Sequence, residues 1–329
     1  MANPSRRECL QQWLSAGFVS ALALDKLAAA EVEGTVREKD VSSSDSPLRL
    51  GFGTYGMRAL SALEAVRVCA EIGYEGVEFC LIDGWPTSLA SLASAERKEL
   101  KSSLKAHGLL VPSLLESLPC LRGSAAHRQN LERLRKAAEF ANELDQDIPP
   151  VVQSIVGGRS GEWEKSRDQL VAELSEWAEV GRKNGVTICF KPHASHLVSR
   201  PEQALWVLEQ VDRSSLRIVY DFSHYSLEGL SLEKTLSQLL PVTPYIQVKD
   251  SRGTPGKHQY LLPGDGETDY SFMFQKLMAD GYQGSVNVEV SSMIHRVEGY
   301  DPHATAKRCY DFLKPILNDC VKNHSPRPQ

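Results

Sequence analysis

From Leu48 onward, short apolar runs alternate with amphipathic segments, and this rhythm restricts the fold more than any single motif. LRLGFGTYG predicts a first strand, and residues 61–72 a helix with Ala62, Ala65, Val66, Cys69 and Ala70 on one side. Gly73 stands where a helix-ending glycine belongs. The pattern then repeats. YEGVEFCLIDGWP precedes a helix over 94–107, LLVPSLLESLP one over 125–144, and PPVVQSIVGG one over 162–184. Val186 to Pro192 is followed by a helix over 201–211, and LRIVYDFSH by one over 232–240. TPYIQVKDS leads into a long loop through Pro263-Gly264-Asp265-Gly266 and a helix over 270–280; YQGSVNVEVSS leads into a closing helix over 302–318. Strict alternation implies parallel strands joined by right-handed crossovers. Eight such units in roughly 270 residues predict a single α/β domain, a (β/α)8 TIM barrel. An open doubly wound sheet is the alternative, but it normally opens on a glycine-rich turn whose spacing GFGTYG lacks.

The barrel is expected over residues 48–320, with a tail over 321–329. Residues 1–30 have the parts of a twin-arginine export signal: Arg6-Arg7, an apolar run from Trp13 to Leu24, then Ala28-Ala29-Ala30. Gln11, Gln12, Asp25 and Lys26 weaken that run, so an amphipathic helix of the mature chain competes with it. The first reading implies a periplasmic protein and the second a cytoplasmic one. Residues 31–47, rich in Ser, Glu and Asp, read as a flexible linker. The formal charge of −5 and pI of about 6.0 argue against nucleic acid or an anionic membrane as partner. No stretch reaches the ~20 apolar residues of a membrane span. Seven scattered cysteines, without CxxC spacing, argue against a disulfide framework or a zinc-cysteine site. The sequence admits a homo-oligomer without indicating one.

In such a barrel the active site lies at the C-terminal ends of the strands. Read in order, those ends carry Tyr55, Glu78 with Trp85, Glu116, Gln153 with Arg159, Lys191 with His193, Asp221 with His224, Gln247 with Lys249 and Asp250, and Glu289. So many carboxylates, imidazoles and ammonium groups exceed what a barrel core tolerates unpaired. VTICFKPHASH, from Val186 to His196, is the most informative stretch. It is an apolar strand ending in a cation, a proline and an imidazole, with Lys191 and His193 expected on one face. His196 reads as structural. Gly157-Gly158-Arg159 would suit an anionic substrate group, and Trp85 and Arg296 would line the mouth. Glu78, Glu116, Lys249 and Asp250 are the remaining candidates for substrate contact, with pairing to neighbouring groups as the competing role.

GYEGVEFCL, VYDFSH, IQVKDS, LLPGDGETDY and GYQGSVNVEV together resemble the xylose isomerase-like barrels, the sugar phosphate isomerase/epimerase and family-2 AP endonuclease superfamily. The resemblance spans Leu48 to the last helix. It implies a divalent metal (Mn, Mg or Zn) held by Glu, Asp, His and Glu on strands five to eight. Asp221 and Glu289 match that pattern. Gln247 replaces the usual His with a neutral carbonyl oxygen, as hydroxypyruvate isomerase-like members do. Lys191 replaces the expected glutamate, and an ammonium has no lone pair to offer a metal.

Two arrangements remain open. Either Lys191 occupies the metal's place, held by Asp221 and Glu289 and polarising a substrate carbonyl, or His193 joins Asp221, Gln247 and Glu289 around a metal. Two carboxylates call for two positive charges, from a divalent ion or from Lys191 and another cation. The resemblance implies an isomerase or epimerase acting on a small carbohydrate by proton transfer next to a carbonyl. Glu289 would be the base, Lys191 or a metal the oxyanion stabiliser, and Asp221, His224 and Gln247 the positioning groups. The same enolate serves a lyase or dehydratase, for which the KPH stretch speaks. Schiff-base chemistry at Lys191 and a non-catalytic sugar-binding barrel are further alternatives. DNA repair is disfavoured by the incomplete His/Glu cluster and the acidic charge.

Overall fold

The computed structural model describes residues 48–211 and 214–324. The expected export signal and linker, and all but the first four residues of the expected tail, lie outside them. The strands are β1 (Arg49–Gly53), β2 (Gly76–Cys80), β3 (Ser113–Glu116), β4 (Val151–Ile155), β5 (Ile188–Lys191), β6 (Leu216–Asp221) and β7 (Tyr245–Val248). They are followed by β8 (Asp250–Thr254), β9 (Lys257–Leu261) and β10 (Ser285–Val288). The first seven and β10 close into an eight-stranded barrel, each parallel to its neighbours, with β1 paired to both β2 and β10. The predicted fold is the observed one.

The helices ring that barrel. They are α1 (Ala62–Ile72), α2 (Ser94–His107), α3 (Ser124–Glu143), α4 (Trp163–Asn184), α5 (Pro201–Gln210), α6 (Phe222–Leu227), α7 (Leu232–Leu239), α8 (Tyr270–Ala279), α9 (Ser292–His295) and α10 (Pro302–His324). Local signals set their ends. Ser61 and Glu64 form a capping box at the start of α1, and Gly73 ends it at φ 104°, a left-handed conformation that a side chain would strain. α4 buries Leu170, Leu174 and Trp177, one stripe at helical spacing. Each such side chain contributes about 1.5–3 kcal/mol by leaving water.

Three expectations need correction. β6 ends at Asp221, and α6 starts at the next residue, so His224 sits one helical turn beyond Asp221 rather than on the strand. Asp221 itself caps that helix, accepting from the Ser223 backbone N–H at 3.1 Å and from Ser223 Oγ at 2.6 Å. The expected loop after strand seven contains the antiparallel β8–β9 hairpin, turning at Thr254–Lys257. The last helix continues through His324, because Leu313, Leu317 and Cys320 carry one buried stripe past its expected end. No helix among the described residues is long and apolar enough to cross a membrane.

Candidate active site

Period-two alternation builds the site. Val151, Cys189, Val219 and Tyr245 form a contiguous apolar cluster contributed by four barrel strands. Two residues further along those strands stand Gln153, Lys191, Asp221 and Gln247, on the same strand faces. An apolar plug is thus capped by a polar layer, toward the strands' C-terminal ends. All four polar residues are buried.

The centre of that layer is a cage of two carboxylates and two ammonium groups. Lys191 Nζ donates to Gln247 Oε1 and Glu289 Oε2, each at 2.7 Å, and to Asp221 Oδ2 at 3.2 Å. Those contacts use all three ammonium protons. Lys249 Nζ donates to the same two carboxylate oxygens, reaching Glu289 Oε2 at 2.5 Å and Asp221 Oδ2 more closely still. The pairing holds both carboxylates ionised. Burial pushes the Asp221 and Glu289 pKa values up, but Lys249 and Lys191 outweigh it, holding Asp221 well below the carboxylate range and Glu289 at about 2. Burial likewise opposes the charge on Lys249, yet Asp221 and Glu289 keep its pKa above the ordinary lysine value. Glu289 is the most open member: 12% of its side chain is exposed, against 0% for Asp221, 2% for Lys191 and 3% for Lys249. Its hydrogen bonds fall on Oε2; among the described residues, Oε1 takes none.

Histidines back the cage on one side. His224 Nε2 lies 3.4 Å from both Asp221 Oδ2 and Lys249 Nζ, and Tyr260, from β9, meets its Nδ1 at 2.8 Å. Burial, then His193 and Lys249, lower the His224 pKa far enough that its imidazole stays neutral. The His193 ring packs on His224 with centroids 3.8 Å apart and stacks on His196 at 4.2 Å. Below the cage lies Glu78, fully buried. It accepts from Gln153 Nε2 at 2.5 Å and from Gln247 Nε2 at 2.9 Å, and so fixes the Gln247 carbonyl on Lys191. At the mouth, Trp85 stacks on Tyr55 at 5.2 Å, His295 meets Tyr55 edge-on, and Arg58 covers the Trp85 face.

The remaining candidates are placed apart from the cage. Glu116 is buried against Arg133, with Nη2 2.7 Å from its carboxylate. Arg159 is exposed at the start of a short 3-10 turn, and Arg296 is exposed behind α9, near enough to act on Tyr55. Asp250 is a loop anchor. Its carboxylate accepts from the Gly264 and Gly266 backbone N–H groups at 2.8 and 2.9 Å and from Tyr270 Oη at 3.1 Å. A Cβ on Gly266 would come within 2.7 Å of Asp250 Cβ, so that approach requires glycine. Asp250→Ala is expected to cost about 3 kcal/mol in a urea melt, by removing the shared acceptor of two part-buried backbone N–H groups and of the buried Tyr270 hydroxyl. Unchanged stability with a raised KM would instead place Asp250 on the substrate. Tyr260 and His295 were not singled out from sequence. Tyr260 was hidden in the expected loop, and the HR pair of SSMIHR just after β10 was the one available signal for His295.

Asp221, His224 and Glu289 offer ligand atoms within 4.8 Å of one another, a spacing a divalent ion could use. His193, the expected replacement ligand, is not in that group: β5 ends at Lys191, and its ring is turned into the histidine stack. One oxygen of each carboxylate in the group is already committed: Asp221 Oδ2 and Glu289 Oε2 each take both ammonium groups, and the Gln247 carbonyl takes Lys191. An ion on those oxygens would stand about 3 Å from each Nζ, and repulsion would be on the order of 10 kcal/mol per ammonium at an effective dielectric of about 20. The residues as arranged do not fit a divalent metal.

A family model described as xylose isomerase-like TIM barrel matches residues 66–316. The 3-dehydro-D-guloside 4-epimerase of Escherichia coli K12 is 23% identical over 263 residues, covering 73% of this chain and 89% of that protein. A Mus musculus protein, provisionally named a hydroxypyruvate isomerase, is 31% identical over 106 residues. That match spans 32% of this chain and only 36% of the mouse protein. The inosose dehydratase of Lactiplantibacillus plantarum is 20% identical over 141 residues, 38% of this chain and 47% of that protein. Among solved structures, an L-ribulose 3-epimerase superposes with TM-score 0.69 at 18% identity, covering 86% of this chain and 99% of the other. The IOLI protein with a bound zinc atom gives 0.68 at 19%, covering 84% and 99%. Likeness at that identity establishes the fold alone.

Proposed function

This chain belongs to the xylose isomerase-like TIM barrel family, and on that premise we propose that it is an enzyme moving a proton next to the carbonyl of a small carbohydrate, an isomerase or epimerase. One observation carries the reading: the most open carboxylate of the cage, Glu289, has one oxygen without a partner among the described residues while the other is held by two ammonium groups. Glu289 Oε1 takes the proton from the carbon beside the carbonyl. The C–H electron pair becomes the enediolate double bond, and negative charge moves to the substrate oxygen. Charge is conserved, because the cage loses one carboxylate as the enediolate forms. Lys191 and Lys249, losing Glu289 as counter-charge, stabilise the new oxyanion. Return of the proton to the neighbouring carbon, with the hydroxyl proton of the original carbon passing to the enediolate oxygen so that the carbonyl forms there, isomerises the sugar. Protonation of the original carbon on its opposite face by water, whose hydroxide then takes the proton held by Glu289, epimerises it. Asp221 holds both ammonium groups in place throughout, and the Tyr55–Trp85 stack offers an apolar wall to the sugar's C–H face.

The relatives named as an epimerase and a hydroxypyruvate isomerase support this class. The test is proton NMR in D2O with a panel of ketoses, keto-glycosides and hydroxypyruvate. Deuterium is expected at the carbon next to the carbonyl, together with an isomer or epimer. A panel that neither exchanges nor converts would count against the proposal. The inosose dehydratase relative and the KPH stretch favour a second reading, loss of water from the same enolate. In the same experiment that outcome gives an unsaturated ketone with its own ultraviolet absorbance.

A further inference from the structure

We infer that Lys191 and Lys249 together are the resident dication of this site, standing where a divalent metal would bridge Asp221 and Glu289. Both ammonium nitrogens contact the same pair of oxygens, Asp221 Oδ2 and Glu289 Oε2, which is how a bridging ion would sit. The third Lys191 proton goes to the Gln247 carbonyl, the neutral oxygen a metal would otherwise use. That amide has one sensible orientation. Flipping it would set its NH2 group against Lys191 and its carbonyl against the Glu78 carboxylate, which now accepts from its Nε2. Two carboxylates meet two ammonium groups, so the cage is neutral before any ion arrives.

The two lysines come from different places in the fold, Lys191 from the end of β5 and Lys249 between β7 and β8. A lone strand-end lysine would be an ordinary ion-pair partner, whereas two on the same oxygens make a cation site built of side chains. The inference rests on donor geometry and holds whichever reaction the site performs, so a negative carbohydrate screen leaves it untouched.

The test is metal analysis of the full-length protein, stripped with chelator, equilibrated with MnCl2 or ZnCl2 and desalted. Wild type is expected to retain essentially no metal. Lys191→Glu, which adds a carboxylate and removes one ammonium, is expected to retain at least tenfold more, and Lys191→Glu/Asp221→Asn to lose it again. Stoichiometric metal in wild type that Asp221→Asn removes would overturn the inference. Metal that Asp221→Asn leaves in place lies elsewhere, and the assignment stands. A folded Lys191→Glu that gains no metal would overturn the role of Lys191 as the excluding cation. The wild-type result decides the matter even if that variant does not fold.

Discussion

Lys191→Met is expected to lower kcat/KM by at least about 10³-fold on whichever substrate exchanges deuterium, and to lower stability by about 3–5 kcal/mol. Both effects have one origin. Lys191 is buried, and its ammonium contacts two carboxylates and an amide oxygen. Methionine keeps the length and the packing but leaves Asp221 and Glu289 with Lys249 alone, one uncompensated charge in a buried cage. The stability loss and the activity loss can be separated by restoring charge balance. Lys191→Met/Asp221→Asn removes one charge of each sign while leaving Glu289 in place as the base, and a buried pair replaced by neutral groups of similar size is often close to neutral in stability. The double variant should therefore recover much of the lost stability in denaturant melts while remaining inactive. If activity returned with stability, Lys191 would be a folding residue and the proposed oxyanion role would be lost. Measurements belong in chelator, since removal of Lys191 frees oxygens that a trace metal could then occupy.

The barrel was legible because its signals are local and repeated: apolar runs of strand length, helical stripes, and glycines such as Gly73 at helix ends. The polar layer was legible for the same reason, since Lys191, Asp221 and Gln247 stand at strand ends where side chains alternate strictly. What escaped depends on contacts between distant segments. Lys249 stands in a VKD stretch that offers no hint of its reach to Glu289, 40 residues on. The sequence therefore indicated that a second positive charge was needed without indicating which residue supplies it. Strand periodicity also failed where the strand stopped. His193 was placed on the Lys191 face by alternation, but β5 ends at Lys191 and the chain turns, delivering the His193 ring to His196 and His224. The β8–β9 hairpin, and with it Tyr260, was missed because its strands are polar and partly exposed, with no buried face to mark a period.

Glu289→Gln separates the base from the field around it. The amide keeps the shape of the side chain and can still accept from an ammonium, but it cannot take a proton from carbon. Turnover and deuterium exchange are expected to fall by about 10²–10⁴-fold, the usual contribution of a general base, with KM changed far less. A carboxylate held at about 2 is a weak base on its own, and this argues against the role only until the substrate is included. The ammonium groups that depress Glu289 also lower the energy of the enediolate beside them, so acid and base are shifted in the same direction. The pH dependence follows from the sign of the shift. A depressed pKa keeps Glu289 ionised well below the ordinary value of about 4.3, so acidification from neutral pH to about 4 should not titrate it. An acid limb of kcat/KM near pH 6 would have to belong to another group, and the residual rate of Glu289→Gln should then show the same limb. A limb that disappears in this variant would assign the titration to Glu289 and contradict the paired cage. The charge removed from the cage leaves one excess ammonium, so a modest stability loss is expected alongside, and activity must be compared at temperatures where both proteins are folded.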